Sequence, residues 1–144
     1  MMTGQELKLH RPQDQLAGCC WLPRFADKIR AAHRKQLPLF YRLALGSSLG
    51  VDGYFLRNFG LTFPSFRQAV LTSAGNEELA LWFNQQPQCT PDTIQAWNSL
   101  APQLGKPGNP GYLTRHLLKL VLYPKSILQP VTSIFEAIDQ DEQT

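Results

Sequence analysis

Arg24, Asp27, Lys28 and Arg30 stand close together in the run Leu22-Pro23-Arg24-Phe25-Ala26-Asp27-Lys28-Ile29-Arg30, three cations around a lone carboxylate. On a helix Asp27 lies one turn from both Arg24 and Arg30 and can pair with either. Three roles are open to such a group. It can be a cationic patch, tuned by one acid, for a phosphate or an acidic partner. It can be a solvated face laced by weak ion pairs, each contributing a few tenths of a kcal/mol. It can also be a clamp, with Asp27 and one arginine holding a neighbouring segment. The residue types alone favour the solvated face, and Arg24, Asp27, Lys28 and Arg30 are the candidate binding residues if the group has a function.

Other chemistry is weaker in this chain. Gly46-Ser47-Ser48-Leu49-Gly50 matches GxSxG, but a nucleophile elbow needs a strand before the serine, and both flanks read as helix. The loop Gly105 to Gly111 contains Lys106 but lacks GxxxxGK[ST], and Pro107 and Pro110 remove N–H groups a phosphate would need. Cys19 and Cys20 precede a basic helix, which could activate a thiol, yet Trp21 and Leu22 follow directly and suggest packed thiols. His10, His33 and His116 show no metal-ligand spacing with one another or with Cys89, so no metal and no cofactor is expected. His33 falls on the apolar side of its helix and reads as a core-edge residue.

Composition narrows the class. A chain of 144 residues suits one domain and buries roughly 70% of its unfolded surface without disulfides. Hydrophobic content of 43% against 17% charged marks it as globular rather than disordered. No apolar run approaches the ~20 residues of a membrane span, and the N-terminus lacks the pattern of a signal peptide. Adjacent cysteines and no CxxC imply reduced thiols, so the expected location is cytoplasmic and no membrane partner is expected. The net charge of +3 is unevenly spread: residues 1–67 hold ten Lys/Arg and four Asp/Glu, residues 68–144 four and seven. Such a gradient suits an anionic partner for the N-terminal half, although the total is far below that of a typical nucleic-acid domain.

The elements that must position these residues read almost entirely as helix, and no alternation long enough for a strand appears. Residues 1–17 read as a loosely ordered N-terminal arm and 18–144 as a single helical domain. From Leu22 the apolar positions Leu22, Phe25, Ala26, Ile29 and Ala32 fall near one face, with Arg24, Asp27, Lys28, Arg30, Arg34 and Lys35 on the wet side. Pro23 suits a first turn and Pro38 ends the helix. In Gly50-Val51-Asp52 and Gly60-Leu61-Thr62 a glycine can close one helix in the left-handed conformation, with Asp52 and Thr62 capping the next. Gly75-Asn76 and Thr90-Pro91 open two more. The segment Tyr112 to Tyr123 is apolar around most of its circumference and should be central. A last short helix carries Val131, Ile134, Phe135 and Ile138.

The order of these segments resembles a bacterial family of small proteins catalogued as a domain of unknown function, five-zero-six-nine in its numbering. The resemblance lies in Leu-Pro-Arg-x-x-Asp-Lys-x-Arg at Leu22 to Arg30, the helix after Gly50-Val51-Asp52, Trp82, Trp97-Asn98 and the stretch from Phe135 to Glu142. Cys19-Cys20 departs from it, standing where small or apolar residues are expected. The resemblance implies a compact helical domain and no activity. The expectation is an all-α, compact single-domain bundle of about six short helices. Its expected function is non-enzymatic: binding a protein or nucleic-acid partner through the basic first helix. The alternative is a small enzyme with a polar pocket around Asp27 and neighbouring arginines.

Overall fold

Pro23 lies in the first turn of α1 (Leu22–His33), where its missing N–H leaves no bond unmade. At the other end Gln36 N–H donates to the Ala31 carbonyl and Lys35 N–H to the Ala32 carbonyl, with Lys35 left-handed at φ 60°. This is the Schellman closure, with a lysine where glycine is usual. A computed structural model describes residues 8–104 together with Phe135 and Ile138. In it every α1 residue from Leu22 to Ile29 is buried except Asp27. The amphipathic reading of α1 is therefore corrected. Arg34 and Lys35 face water, but Arg24 and Lys28 are 1% and 8% exposed. The chain encloses this helix on more than its apolar face.

Part of that enclosure comes from a structure not expected from the sequence. β1 (Gln15–Leu16) pairs antiparallel with β2 (Cys19–Cys20), Gln15 opposite Cys20 and Leu16 opposite Cys19. Ala17 and Gly18, at φ 55° and 73°, form the two-residue turn, the positive-φ geometry that matches strand twist. Two-residue strands are too short to show an alternation. The hairpin backbone is completed by side chains: Cys20 N–H donates to Asn98 Oδ1 at 2.9 Å, and Asn98 Nδ2 and Trp97 Nε1 donate to the Gly18 and Cys20 carbonyls.

The remaining helices are α2 (Leu39–Ala44), α3 (Val51–Asn58), α4 (Phe63–Thr72), α5 (Asn76–Asn84) and α6 (Pro91–Leu100), followed by a single 3-10 turn, Ala101–Gln103. Thr62 and Thr90 cap α4 and α6, accepting from the N–H groups of Ser65 and Thr93. The turn before α3 differs from expectation. Gly46 is the left-handed residue, Gly50 is the N-cap in extended geometry, and Asp52 lies inside the helix. Gly53 faces that turn so closely that a Cβ would lie 2.5 Å from the Ser47 carbonyl oxygen.

Six α-helices among the described residues make the fold mainly α, as the sequence led us to expect. Its core is aromatic. Phe55 on α3 lies 4.9–6.0 Å, centroid to centroid, from Phe59, Phe66, Phe83, Phe25 and Trp97, and all six rings are buried. Truncating such a residue typically costs about 3–5 kcal/mol. Phe135 stacks on Trp21 at 5.4 Å, and Ile138 is also buried. The Gly105–Gly111 loop and the Tyr112–Tyr123 helix lie outside the described residues. Among the described residues no helix is long and apolar enough to cross a membrane.

Candidate functional site

Asp52 organises the polar interior beside α1. Its Oδ1 accepts from Trp21 Nε1 at 2.8 Å and from Lys28 Nζ at 2.9 Å; its Oδ2 accepts from Lys28 Nζ at 3.0 Å and from Gly46 N–H at 2.9 Å. Three elements meet there: the start of α1, the turn after α2 and the first turn of α3. The carboxylate is 2% exposed and receives donors at both oxygens, so it is poorly placed to take a proton from a substrate. Trp21, the N-cap of α1, holds a left-handed backbone at φ 72°. The Lys28 ammonium lies 4.8 Å and the Arg24 guanidinium 5.4 Å from the indole centroid, both within cation–π range of the ring.

Among the described residues the four candidates bond to different neighbours. Arg24 Nη1 donates to the His10 carbonyl at 3.1 Å. Asp27 points to the same N-terminal segment: its Oδ2 accepts from His10 N–H at 2.7 Å, and His10 Nδ1 lies 2.6 Å away. Arg30 Nη1 donates to Asn76 Oδ1 at the head of α5, at 2.7 Å. Arg24 and Lys28 are brought together over Trp21, while Asp27 and Arg30 serve separate neighbours. His10, Trp21, Asp52 and Asn76 were not among the candidates. Asp52 carried one signal, being one of only four acids in residues 1–67. The other three are recognisable only from the tertiary arrangement.

An Asp–His pair is two parts of a hydrolytic triad. Among the described residues no hydroxyl or thiol hydrogen-bonds the His10 ring. The GxSxG serines lie between α2 and α3 rather than between a strand and a helix, and Ser47 Oγ accepts from Leu49 N–H. Cys19, Cys20 and Cys89 are buried and in no disulfide, and Cys19 Sγ donates to the Cys20 carbonyl at 3.5 Å. Burial pushes the thiols of Cys20 and Cys89 up to about 11 and that of Cys19 higher still, the opposite of activation. His33, expected at the core edge, is exposed. A groove of about 500 Å³ lies between the hairpin turn and α6, lined by Gly18, Cys89, Gln95 and Asn98 among others. Another of about 340 Å³ lies between α4 and α5 beside Glu78 and Trp82. Arg24, Asp27, Lys28 and Arg30 line neither.

What faces water near α1 is different in kind. Between Asp27 and Asp52 the chain has no acidic residue. Arg34, Lys35 and Arg42 are exposed within that stretch. So are Leu39, Phe40 and Leu43 of α2, and Leu49 beyond it.

The family model described as a domain of unknown function, DUF5069, matches residues 7–144. Among curated proteins none matches the chain.

Proposed function

The chain belongs to the DUF5069 family, and we propose that this member is a non-enzymatic helical module that works by binding an anionic macromolecular partner. The observation that carries the reading is the acid-free stretch from Lys28 to Val51, which presents Arg34, Lys35 and Arg42 to solvent. The binding surface shifts from the place the sequence suggested. Arg24 and Lys28 lie inside, so the end of α1 and the last turn of α2 supply the cations. Asp52, the most buried carboxylate near α1, already receives three different donors. That arrangement suits a scaffold better than a proton-transfer site. Three buried thiols in no disulfide fit a reducing, cytoplasmic setting. A bacterial source, read from the family resemblance, belongs to the same proposal.

The test is a titration of labelled polyglutamate and of single- and double-stranded DNA, at low and at raised salt. Binding should weaken as salt rises, since exposed charges are screened and counterions are released. Replacing Arg34, Lys35 and Arg42 together by Gln should abolish it with the fold intact by circular dichroism. An absence of binding to every anionic probe at low salt defeats the proposal.

A further inference from the structure

Resting on that reading, we infer that the partner is a protein presenting an acidic amphipathic helix, and that its apolar side seats on Leu39, Phe40 and Leu43. The argument starts from the orientation of α2. Tyr41 and the following Leu45 pack against the core. Leu39 and Leu43 are one helical turn apart, and Phe40 and Leu43 lie three positions apart, so the three share the opposite face. They are 55%, 51% and 69% exposed. Leu49, 66% exposed, follows in the turn to α3. Single exposed apolar residues need no explanation, but a helix that turns three of its six residues outward as Leu or Phe offers a contiguous patch.

The charge around the patch selects its occupant. Arg34 and Lys35 precede it, Arg42 lies within α2, and Arg57 donates to the Ser48 carbonyl beside Leu49. No acid intervenes in sequence until Asp52, whose carboxylate is buried. An exposed apolar patch flanked in sequence by exposed cations complements a helix carrying leucines on one side and carboxylates on its flanks, the helix-in-groove mode of recognition. Nucleic acid matches the cations, but its phosphates gain nothing from Leu39 or Leu43. Lys35 stands at φ 60°, at a position where glycine is least strained.

The experiment uses the full chain and a labelled synthetic helix with leucines at i, i+3, i+4 and i+7 and glutamates elsewhere. Polyglutamate of equal length, single-stranded DNA, phosphatidylcholine vesicles containing phosphatidylserine, and sedimentation of the protein alone complete it. The amphipathic helix should bind at least about tenfold more tightly than polyglutamate, the scale of one buried anchor. Leu43→Ser and Phe40→Ser should each erase that advantage while leaving polyglutamate binding unchanged. Lys35→Gln and Arg42→Gln should weaken both probes. Equal affinity for the helix, polyglutamate and DNA overturns the inference but leaves the anionic-partner reading standing. Vesicle binding or self-association that depends on Leu43, without helix binding, assigns the patch to a membrane or a second copy and also overturns it. Failure of every anionic probe removes both proposals.

Discussion

Lys28 Nζ lies 2.9 and 3.0 Å from the two carboxylate oxygens of Asp52, joining α1 to α3 in a site where the side chains are 10% and 2% exposed. The pair is asymmetric. Asp52 also holds Trp21 Nε1 and Gly46 N–H, so the carboxylate ties the residue before α1 and the turn after α2 to α3.

Removing either partner should therefore have unequal effects. Asp52→Ala takes from the buried Lys28 ammonium the carboxylate 2.9 Å away and takes the acceptor from Trp21 and Gly46. A loss of about 3–5 kcal/mol is expected. Lys28→Met keeps an apolar stem against Trp21, and Asp52 retains two donors, so its loss should be smaller. Urea unfolding of both variants checks this. Equal midpoints would show that the ion pair alone matters and that the other two bonds contribute little.

His10 and Asp27 tie the segment before the hairpin to α1 at a partly exposed site, with side chains 45% and 16% exposed. Asp27→Ala should loosen this segment rather than the core. Amide exchange at His10 should accelerate at least about tenfold, while Phe25 and Phe55 keep their protection, because local openings cost less than global unfolding. Slowed refolding or a uniform loss of protection would instead place Asp27 in the cooperative core.

These bonds explain how far the sequence could be read. Thr62 and Thr90 announced their helices because a cap acts over three residues, a distance the sequence displays directly. Helical class was legible for the same local reason. The fate of Arg24 and Lys28 was not. Their burial depends on Trp21, on Asp52, which is 24 residues beyond Lys28, and on the segment around His10. A helical wheel reports which residues share a side, but it cannot report that a second wall of the molecule closes over the polar side. The hairpin was hidden because Trp97 and Asn98, nearly 80 residues away, complete its hydrogen bonds. The exposed apolar side of α2 is not legible in the sequence, because Leu39, Phe40 and Leu43 have the spacing of a core-facing stripe.

The buried thiols make stability depend on pH on the alkaline side. Burial favours the protonated form and raises Cys20 and Cys89 from the ordinary 9.0 to about 11. Their contribution is complete below pH 9.0 and is lost as pH rises toward about 11, because the unfolded chain releases these protons first. Urea midpoints measured at pH 8 and pH 10 should fall less in Cys89→Ala than in the parent protein, about pH values that bracket the unfolded thiol. An identical fall in both would remove Cys89 from the account. Thiol reagents should meanwhile react slowly with the native chain at neutral pH and rapidly after denaturation.

Lys35 allows strain and function to be separated. Its φ of 60° costs a lysine about 1 kcal/mol that glycine does not lose, although a cation at a helix C-terminus recovers part of it through the dipole. Lys35→Gln removes the charge and keeps the strained backbone. Lys35→Gly removes both. Relative to Lys35→Gln, the glycine variant should therefore be more stable by about 0.5–1 kcal/mol in thermal or urea unfolding. Yet both variants should bind an acidic helix less tightly than the parent, and by similar amounts, because each lacks the same cation preceding Leu39, Phe40 and Leu43 in sequence. A glycine variant that gains stability and keeps full affinity would show that Lys35 stands at this position without serving the surface, and the cationic contribution would then have to rest on Arg34 and Arg42.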